Sequence, residues 1–242
     1  MDDICMEKID VVILAGGKGS RLYPLTKDIP KPLVRIGELP VLGHIVKYFG
    51  HFGIKNVKVL VGYKGDAIRE YFRDNFKEMN IECIDTGEDS DTAERLWQIR
   101  KAVSDRFILS YSDVLSNINL DNEVSFHIKK GKVGTMGLVP LRTSYGILSL
   151  DDNDIAVDYV EKPVFYDYWM NCGLFIFEKA LFDYWDWKNT DFSKGMLVKL
   201  AKLSQLSGYK HQGFWSGMDT IRENEILNEL WKKNEAEWAV WK

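Results

Sequence analysis

Residues 9–22 read IDVVILAGGKGSRL, an apolar run that passes directly into a glycine-rich loop. A short, nearly continuous apolar run such as 9–14 is typical of a strand that is buried on both faces. The glycines that follow lack side chains, so backbone amides in this loop can approach an anion closely. The stretch predicts a buried strand followed by an anion-binding loop.

Strand and helix patterns alternate on the C-terminal side of this loop. Apolar spacing predicts helices at 39–52, 66–76 and 92–103, and strands at 57–61, 81–84 and 106–111. Strands that alternate with amphipathic helices are joined by right-handed crossovers and form a mostly parallel sheet. We therefore expect an α/β fold with a Rossmann-like mixed, mostly parallel sheet flanked by helices.

The pattern changes after about residue 132, where short apolar runs follow one another without helices between them. A small antiparallel β region is predicted from the runs at 133–141, 145–150, 155–160 and 174–177. Helical spacing returns from residue 196 onward. Because the 242 residues contain no linker or repeat, we expect one domain, 1–242, with a first part at about 9–131 and a second at about 132–242.

Composition excludes several classes of function. The 36 acidic and 32 basic residues give a net charge of -4, which argues against nucleic acid as a partner. The three cysteines, Cys5, Cys83 and Cys172, form no CxxC pair, which argues against a disulfide framework or a zinc site. No apolar run resembles a secretory signal or approaches the roughly 20 residues that cross a bilayer. We expect a cytoplasmic protein that does not bind membranes.

Two basic residues accompany the glycine loop. Arg21 follows it directly, and Lys31 stands between two prolines in IPKPL, where restricted φ angles hold a cation in a fixed place. A tight turn alone would not explain this basic pair. The sequence has no GxxxxGK[ST], and 17–22 lacks the third glycine of the dinucleotide pattern, so neither of these phosphate-binding motifs applies.

The longer stretch 14–34, LAGGKGSRLYPLTKDIPKPLV, resembles the signature of the sugar-1-phosphate nucleotidyltransferases, LAGGxG[ST]RLxPLT followed by PKP. The resemblance implies the nucleotide-diphospho-sugar transferase type of fold, with the nucleotide in the first part and the sugar phosphate in the second. A sugar-phosphate oxygen would attack the α-phosphorus of a nucleoside triphosphate, with Arg21 and Lys31 as catalytic residues that balance the phosphate charge. The implied nucleotide-binding residues of the loop are Leu14, Ala15, Gly16, Gly17, Gly19, Ser20 and Arg21.

Later segments narrow the resemblance to the glucose-1-phosphate cytidylyltransferases of this family. The similar segments lie at 62–72, 85–92 and 213–220. The resemblance implies that 86–95 closes over the nucleotide and helps to choose cytosine, so CTP is the expected triphosphate. The nucleotide-binding residues implied outside the glycine loop are Thr86, Arg95 and Ser112.

This chain departs from the family pattern within 92–95 and on both sides of Asp113. Ala93 and Glu94 replace two glycines, and either Glu94 turns outward on the helix that starts near residue 92 or the pocket is altered. Ser112 and Val114 crowd a position that is normally open in the family. These departures keep a second class of function open, a noncatalytic regulatory homologue that binds a nucleotide.

Two acidic residues are candidates for binding Mg²⁺, the expected cofactor. Asp113 follows the predicted strand 106–111, which places a carboxylate at the C-terminal end of a strand. Asp219 lies in GFWSGMDT and resembles the second acidic residue of the family. Two carboxylates suit a hard, largely hydrated cation. The alternatives are a loop or cap role for Asp113, and for Asp219 a cap on a helix that begins near Thr220.

Three short matches in the second part of the chain imply a sugar-phosphate site. YGIL at 145–148 resembles FGAL, VEKP at 160–163 contains the EKP motif, and WMNCGLF at 169–175 resembles WINGGFF. An exposed charged turn is the alternative for the EKP segment. The implied sugar-phosphate-binding residues are Tyr145, Gly146, Glu161, Lys162 and Asn171.

The expected partners are thus a nucleoside triphosphate, with CTP favoured, and a sugar 1-phosphate, with glucose 1-phosphate as the default. The alternative within the same chemistry is UTP, dTTP or GTP with another sugar, because hydrogen-bonding specificity cannot be read from one sequence. The resemblance also implies a homo-oligomer.

Overall fold

The computed structural model describes residues 5–185 and 191–242. The strands are β1 (Asp10–Ala15), β2 (Arg35–Ile36), β3 (Leu39–Pro40), β4 (Asn56–Val61), β5 (Asn80–Asp85), β6 (Arg106–Tyr111), β7 (Val114–Ser116), β8 (Gly134–Arg142), β9 (Ile147–Leu150), β10 (Ala156–Val160), β11 (Val164–Glu178), β12 (Leu206–Lys210) and β13 (Trp215–Gly217). The α-helices are α1 (Val41–His51), α2 (Gly65–Asp74), α3 (Thr92–Gln98), α4 (Leu120–Lys130), α5 (Val198–Lys202) and α6 (Ile221–Lys232). Short 3-10 helices lie at Met6–Lys8, Ser20–Leu22, Lys31–Leu33 and Lys179–Tyr184, and a π-helical turn, Phe192–Leu197, leads into α5.

The central sheet has seven strands in the order β12-β8-β11-β6-β1-β4-β5. β1 runs parallel to both of its neighbours, with Leu14 opposite Tyr111 of β6 and Leu60 of β4. β11 is antiparallel to β6 and β8, whereas β12 is parallel to β8 and β5 is parallel to β4. The sheet is mixed and mostly parallel, which confirms the predicted fold class. Small antiparallel pairs, among them the hairpin β9–β10, complete the β structure.

Side chains alternate along β1 between two apolar layers, one on each face of the sheet. Val11 and Ile13 join the layer that contains α1, whereas Val12 joins the layer that contains α3, and all three are 0% exposed. Complete burial of such a side chain stabilises the fold by about 1.5–3 kcal/mol. The first apolar run of the sequence is therefore fixed between helices, and the glycine loop that follows it begins from a rigid point.

Several elements differ from the sequence predictions. The predicted helix 39–52 begins as the strand β3, and the short strands β7, β12 and β13 were not predicted. α4 was not predicted, because the polar residues Glu123 and His127 occupy buried positions on it and interrupt the apolar spacing. α3 ends at Gln98 rather than near residue 103, since Ile99 already leaves helical geometry. The predicted strand 174–177 is only the buried end of the 15-residue β11.

The C-terminal tryptophans pack partly into the core. Trp238 is 1% exposed, and its indole N–H donates to His44 Nδ1 at 3.2 Å. Burial lowers the pKa of His44 to about 4, so this histidine is a neutral packing residue. Within residues 5–185 and 191–242, every helix is too short or too polar to cross a membrane.

Candidate active site

The loops that follow β1 and β6 leave the sheet at the same edge, because the two strands are adjacent and parallel. A cavity of about 840 Å³ opens at this edge, outside the C-terminal ends of the strands, where ligands bind in open α/β sheets. The predicted site residues that line it are Leu14, Gly16, Gly17, Gly19, Ser20, Arg21, Lys31, Arg95, Ser112, Asp113, Asn171 and Asp219. Ala15 and Thr86 are buried, at 1% and 2% exposure, and do not line the cavity.

The glycine loop owes its shape to one left-handed residue and one close contact. Gly19 has φ +62°, a conformation that side chains disfavour, and a Cβ atom there would lie 2.6 Å from Cβ of Lys31. Thr26 Oγ1 donates to the Gly19 carbonyl at 3.1 Å and holds the loop in this conformation. The glycine at this position therefore lets the backbone pack against the lysine.

Lys31 is the centre of a charged cluster on the cavity wall. Its Nζ contacts Oδ2 of Asp113 and lies 2.6 Å from Oδ1 of Asp219. The side chain of Lys31 is 12% exposed, so this contact is partly shielded from solvent. Arg21 is more exposed and reaches the same Asp219 oxygen through Nη2 at 2.8 Å. Two cations and two carboxylates thus meet at one point of the cavity.

A short antiparallel ladder brings the two aspartates together from distant parts of the chain. β7 pairs with β13, with Val114 opposite Gly217, and the amide of Met218 donates to the Asp113 carbonyl at 2.8 Å. Asp219 is not the helix cap that one interpretation of the sequence allowed. Thr220 caps α6 instead, since its side chain accepts from the amide of Glu223. The carboxylate of Asp219 is therefore free to face the cavity.

Arg95 lies under the glycine loop and joins three strand ends. Its Nη1 donates to Thr86 Oγ1 at 2.7 Å, and its Nη2 donates to the carbonyls of Gly16 and Glu88 at 3.4 Å and 3.1 Å. A Cβ atom at Gly16 would lie 2.2 Å from Nη1, so only glycine leaves room for this guanidinium. Burial lowers the pKa of Arg95, although four acceptors surround it. Arg95 therefore fixes the glycine loop against the segment after β5.

Glu94 turns away from the cavity. Of the two interpretations of the sequence, the structure shows the outward-turned Glu94. Its Oε2 accepts from the amide of Asp91 at 3.1 Å, while Asp91 Oδ1 accepts from the amide of Glu94 at 2.8 Å. This capping box satisfies two amides at the start of α3. The carboxylate stays outside the cavity wall, so it does not face a bound triphosphate.

The sugar-phosphate residues predicted from the sequence fall into two groups. Asn171 lines the cavity, and its Oδ1 accepts from the amide of Gly173 at 2.8 Å. The four residues on or next to the hairpin β9–β10 do not line it, and they are Tyr145, Gly146, Glu161 and Lys162. Tyr145 is 78% exposed, and Glu161 accepts from the Tyr159 hydroxyl at 2.5 Å. The hairpin therefore carries these residues outside the cavity.

Several cavity residues were not individually assigned a binding role from the sequence, although four of them lie in the segment 86–95 that the resemblance places over the nucleotide. They are Lys18, Pro32, Glu88, Asp89, Ser90, Thr92, Tyr111, Val114, Cys172, Gly173, Trp215 and Gly217. Lys18 stands at the variable position of the glycine motif, which was the only signal that pointed to it. Burial raises the pKa of the Cys172 thiol far above its ordinary value, so this side chain packs and is not a thiolate nucleophile.

Comparison with known proteins identifies the family of this chain. A family model described as "Nucleotidyl transferase" matches residues 10–222. A Bacillus subtilis (strain 168) protein named "Probable glucose-1-phosphate cytidylyltransferase" is 36% identical over 95% of this chain and 99% of its own. The glucose-1-phosphate cytidylyltransferase of Salmonella typhi is 32% identical over 95% of this chain and 98% of its own. The crystal structure of HddC from Yersinia pseudotuberculosis shares the fold, with a TM-score of 0.72 at 22% identity over 92% of this chain and 99% of that one.

The family match begins at the first residue of β1 and ends within the first turn of α6, so it includes the glycine loop, Lys31 and both aspartates of the cavity. The two cytidylyltransferases align with nearly the whole chain. The chain therefore belongs to the nucleotidyl transferase family and is a sugar-1-phosphate nucleotidyltransferase.

Proposed function

We propose that this enzyme joins CTP to a sugar 1-phosphate, with glucose 1-phosphate as the first candidate, and forms a CDP-sugar and pyrophosphate. The observation that carries the proposal is the cluster of Lys31, Arg21, Asp113 and Asp219 inside the cavity that the glycine loop borders. The names of the two relatives favour cytidine as the base and glucose as the sugar.

The reaction is a single nucleotidyl transfer by displacement at phosphorus. An oxygen of the sugar phosphate forms a bond to the α-phosphorus of the triphosphate, while the bond from that phosphorus to the pyrophosphate oxygen breaks. Positioning and electrostatic stabilisation supply the acceleration in such transfers, and no covalent enzyme intermediate is needed. Lys31 is suited to this role because its flanking prolines and its 12% exposure limit its freedom.

The acidic pair fits a magnesium ion. Oxygens of Asp113 and Asp219 both contact the same atom, Lys31 Nζ, so two hard oxygen donors already converge on one point. In the two described ranges, no group of three or more His, Cys, Asp or Glu side chains converges on a metal position. Phosphate oxygens and water would complete the coordination, as is usual for Mg²⁺. When bound, Mg²⁺ would neutralise the charge that develops on the phosphates.

Lys31 and Arg21 have a second role in this proposal. At rest they neutralise Asp113 and Asp219, and with a cation held by those carboxylates their charges are free for phosphate oxygens. Charge-assisted hydrogen bonds from these side chains would align the α-phosphate with the attacking oxygen. Asp113 and Asp219 would thus hold the metal, while Lys31 and Arg21 would contact the phosphates.

The base is proposed to lie between the glycine loop and residues 86–90. Arg95 holds these two segments at a fixed separation through Gly16 and Glu88, and Thr86 keeps the guanidinium in place. The proposed contribution of Thr86 is therefore indirect and acts through Arg95.

On the acceptor side, Asn171 is proposed to contact a sugar hydroxyl inside the cavity. Glu161 and Lys162 are proposed to bind the sugar hydroxyls and the sugar phosphate, which requires the hairpin β9–β10 to approach the cavity. Lys162→Gln tests this directly. We expect the variant to have a higher KM for the sugar phosphate and an unchanged KM for the triphosphate. Equal sugar-phosphate KM values for the variant and the native protein would show that Lys162 does not bind the sugar phosphate.

A substrate panel tests the proposed function as a whole. The protein is incubated with Mg²⁺, glucose 1-phosphate and each of CTP, UTP, dTTP and GTP, and pyrophosphate release is measured. We expect CTP to give the highest kcat/KM, and a strong preference for another triphosphate would overturn the choice of base. Binding of CTP without turnover of any sugar 1-phosphate would instead support the regulatory homologue.

A further inference from the structure

Lys18 has no role in the site described above, yet it lies in the glycine loop and lines the cavity. Its Nζ lies 3.4 Å from Oε1 of Glu88 and 3.8 Å from Oδ1 of Asp89. Glu88 and Asp89 belong to the segment after β5, and their side chains are 52% and 96% exposed. They therefore face Lys18 at the solvent-exposed rim, or mouth, of the cavity. The two ion pairs link the glycine loop to the segment after β5.

The backbone fixes Glu88 opposite Lys18. The Glu88 carbonyl accepts from Arg95 Nη2 at 3.1 Å, and Gly87 has φ +87°, a turn conformation that glycine adopts without strain. The amide of Gly87 donates to Asp85 Oδ1 at 2.9 Å, which closes the turn. Glu88 is thus held at the mouth by its backbone and not by the exposed ion pair alone.

The charges along the cavity wall are balanced at rest. The cations are Lys18, Arg21, Lys31 and Arg95, and the carboxylates are Glu88, Asp89, Asp113 and Asp219. A triphosphate carries several negative charges, so it attracts Lys18 and repels Glu88 and Asp89 from the same place. Exposed ion pairs are weak, and Lys18 is 61% exposed, so an exchange of partners is easy.

We propose that Lys18 binds the triphosphate and that Glu88 and Asp89 are its resting partners, which compete with the substrate for the same ammonium group. Nucleotide binding then breaks the two ion pairs at the mouth and forms a lysine–phosphate contact in their place. The proposal rests on the family activity and needs neither cytosine as the base nor Mg²⁺ at the acidic pair.

The first test measures KM for the triphosphate in Lys18→Met and Lys18→Arg, with the nucleotide that the enzyme turns over fastest. We expect Lys18→Met to raise this KM about fivefold at low ionic strength and less at high salt, since the lost contact is exposed. Lys18→Arg should stay near the native value, and the KM for the sugar phosphate should change in neither variant. An unchanged triphosphate KM in Lys18→Met would overturn the proposal.

The second test separates competition from simple repulsion. Glu88→Gln should lower the triphosphate KM about twofold to threefold in the native background, because Lys18 is released. In the Lys18→Met background the same change should have a clearly smaller effect, and an equal effect in both backgrounds would show repulsion alone and refute the exchange. Asp66→Asn is the matched control, since it breaks the exposed Asp66–Arg69 ion pair on α2 outside the cavity.

Should no triphosphate be turned over, the enzymatic proposal fails while this one stays testable. Equilibrium dissociation constants for CTP are then compared among the same variants by calorimetry. Weaker binding in Lys18→Met and tighter binding in Glu88→Gln would support the exchange, and equal constants would refute it. Thermal unfolding midpoints should stay close to that of the native protein, because Lys18 and Glu88 are both more than half exposed.

Discussion

Glu123 offers a quantitative test of the packing behind the cavity. It lies on α4, is 0% exposed, and has no hydrogen-bond partner for either carboxyl oxygen in the part of the chain that is described. Its Oε1 lies 3.1 Å from the point where Gly137 would carry a Cβ atom, and Sγ of Cys172 lies 2.5 Å from the same point. The carboxyl group therefore packs beside the cavity wall without a charge partner.

Burial raises the pKa of Glu123 from its ordinary 4.5 to about 8. Between these values the native side chain keeps its proton and the unfolded one loses it. The free energy of unfolding must then fall by about 1.4 kcal/mol for each pH unit, and by about 5 kcal/mol over the whole interval. This cost is absent below pH 4.5 and complete above pH 8.

Glu123→Gln keeps the size of the side chain and removes its ionisation. Relative to the native protein, the variant should gain about 1.4 kcal/mol in unfolding free energy per pH unit across that interval. The buried amide adds a constant offset, so the slope is the quantity to measure. Urea unfolding followed by fluorescence, at intervals from about pH 5 to about pH 9, gives this slope. Glu225→Gln, on the exposed side of α6, is the control for loss of one carboxylate. A pH-independent difference between Glu123→Gln and the native protein would refute the assignment of a buried neutral acid.

Three further changes test other parts of the molecule. Lys31→Met should lower kcat by about 10²–10³-fold, since a preorganised charge at the phosphates is lost, and near-native pyrophosphate release would contradict this role. Gly62→Ala would place a Cβ atom 2.7 Å from the Gly87 carbonyl oxygen and 2.8 Å from Arg95 Nη1, so we expect a raised triphosphate KM, and unchanged kinetics would show that Arg95 can move freely. Trp238→Ala should cost about 3–5 kcal/mol in denaturant unfolding, because a fully buried indole leaves a cavity in the core, and a loss below 1 kcal/mol would mean that the C-terminal segment is dispensable.

The local pattern predicted the parallel half of the sheet well. β1, β4 and β6 contain buried apolar runs, and the helices α1, α2 and α3 that alternate with the strands have apolar spacing. Elements of this kind can be predicted from the local sequence, since a strand that is buried on both faces must be apolar throughout. β5 is the partly exposed edge strand NIECID, which was predicted from its short apolar stretch 81–84. α4 lacked that signal because its buried face includes Glu123 and His127, and tertiary contacts satisfy the latter through Thr135.

The geometry of the site depended on contacts between residues far apart in the sequence. The distance from Asp113 to Asp219 is set by the ladder of β7 with β13, and neither of these short strands has a strong periodic pattern. The position of Arg95 depends on the missing side chains of Gly16 and Gly62, which lie on two other loops. Motif resemblance could name such residues, but only the fold shows which of them touch.

The paired charges of the cavity bear on how the enzyme chooses its substrate. Four unpaired cations would bind any phosphorylated metabolite, whereas here Lys31 and Arg21 are held by carboxylates until something replaces them. A single phosphate carries less negative charge than a triphosphate, so it competes less strongly with these carboxylates for the cations. In the proposed exchange, a triphosphate would replace Glu88 and Asp89 as the partner of Lys18. With a metal at the proposed acidic pair, it would also contact Lys31 and Arg21. The balance of charge therefore favours the ligand whose α-phosphorus must reach the reacting position.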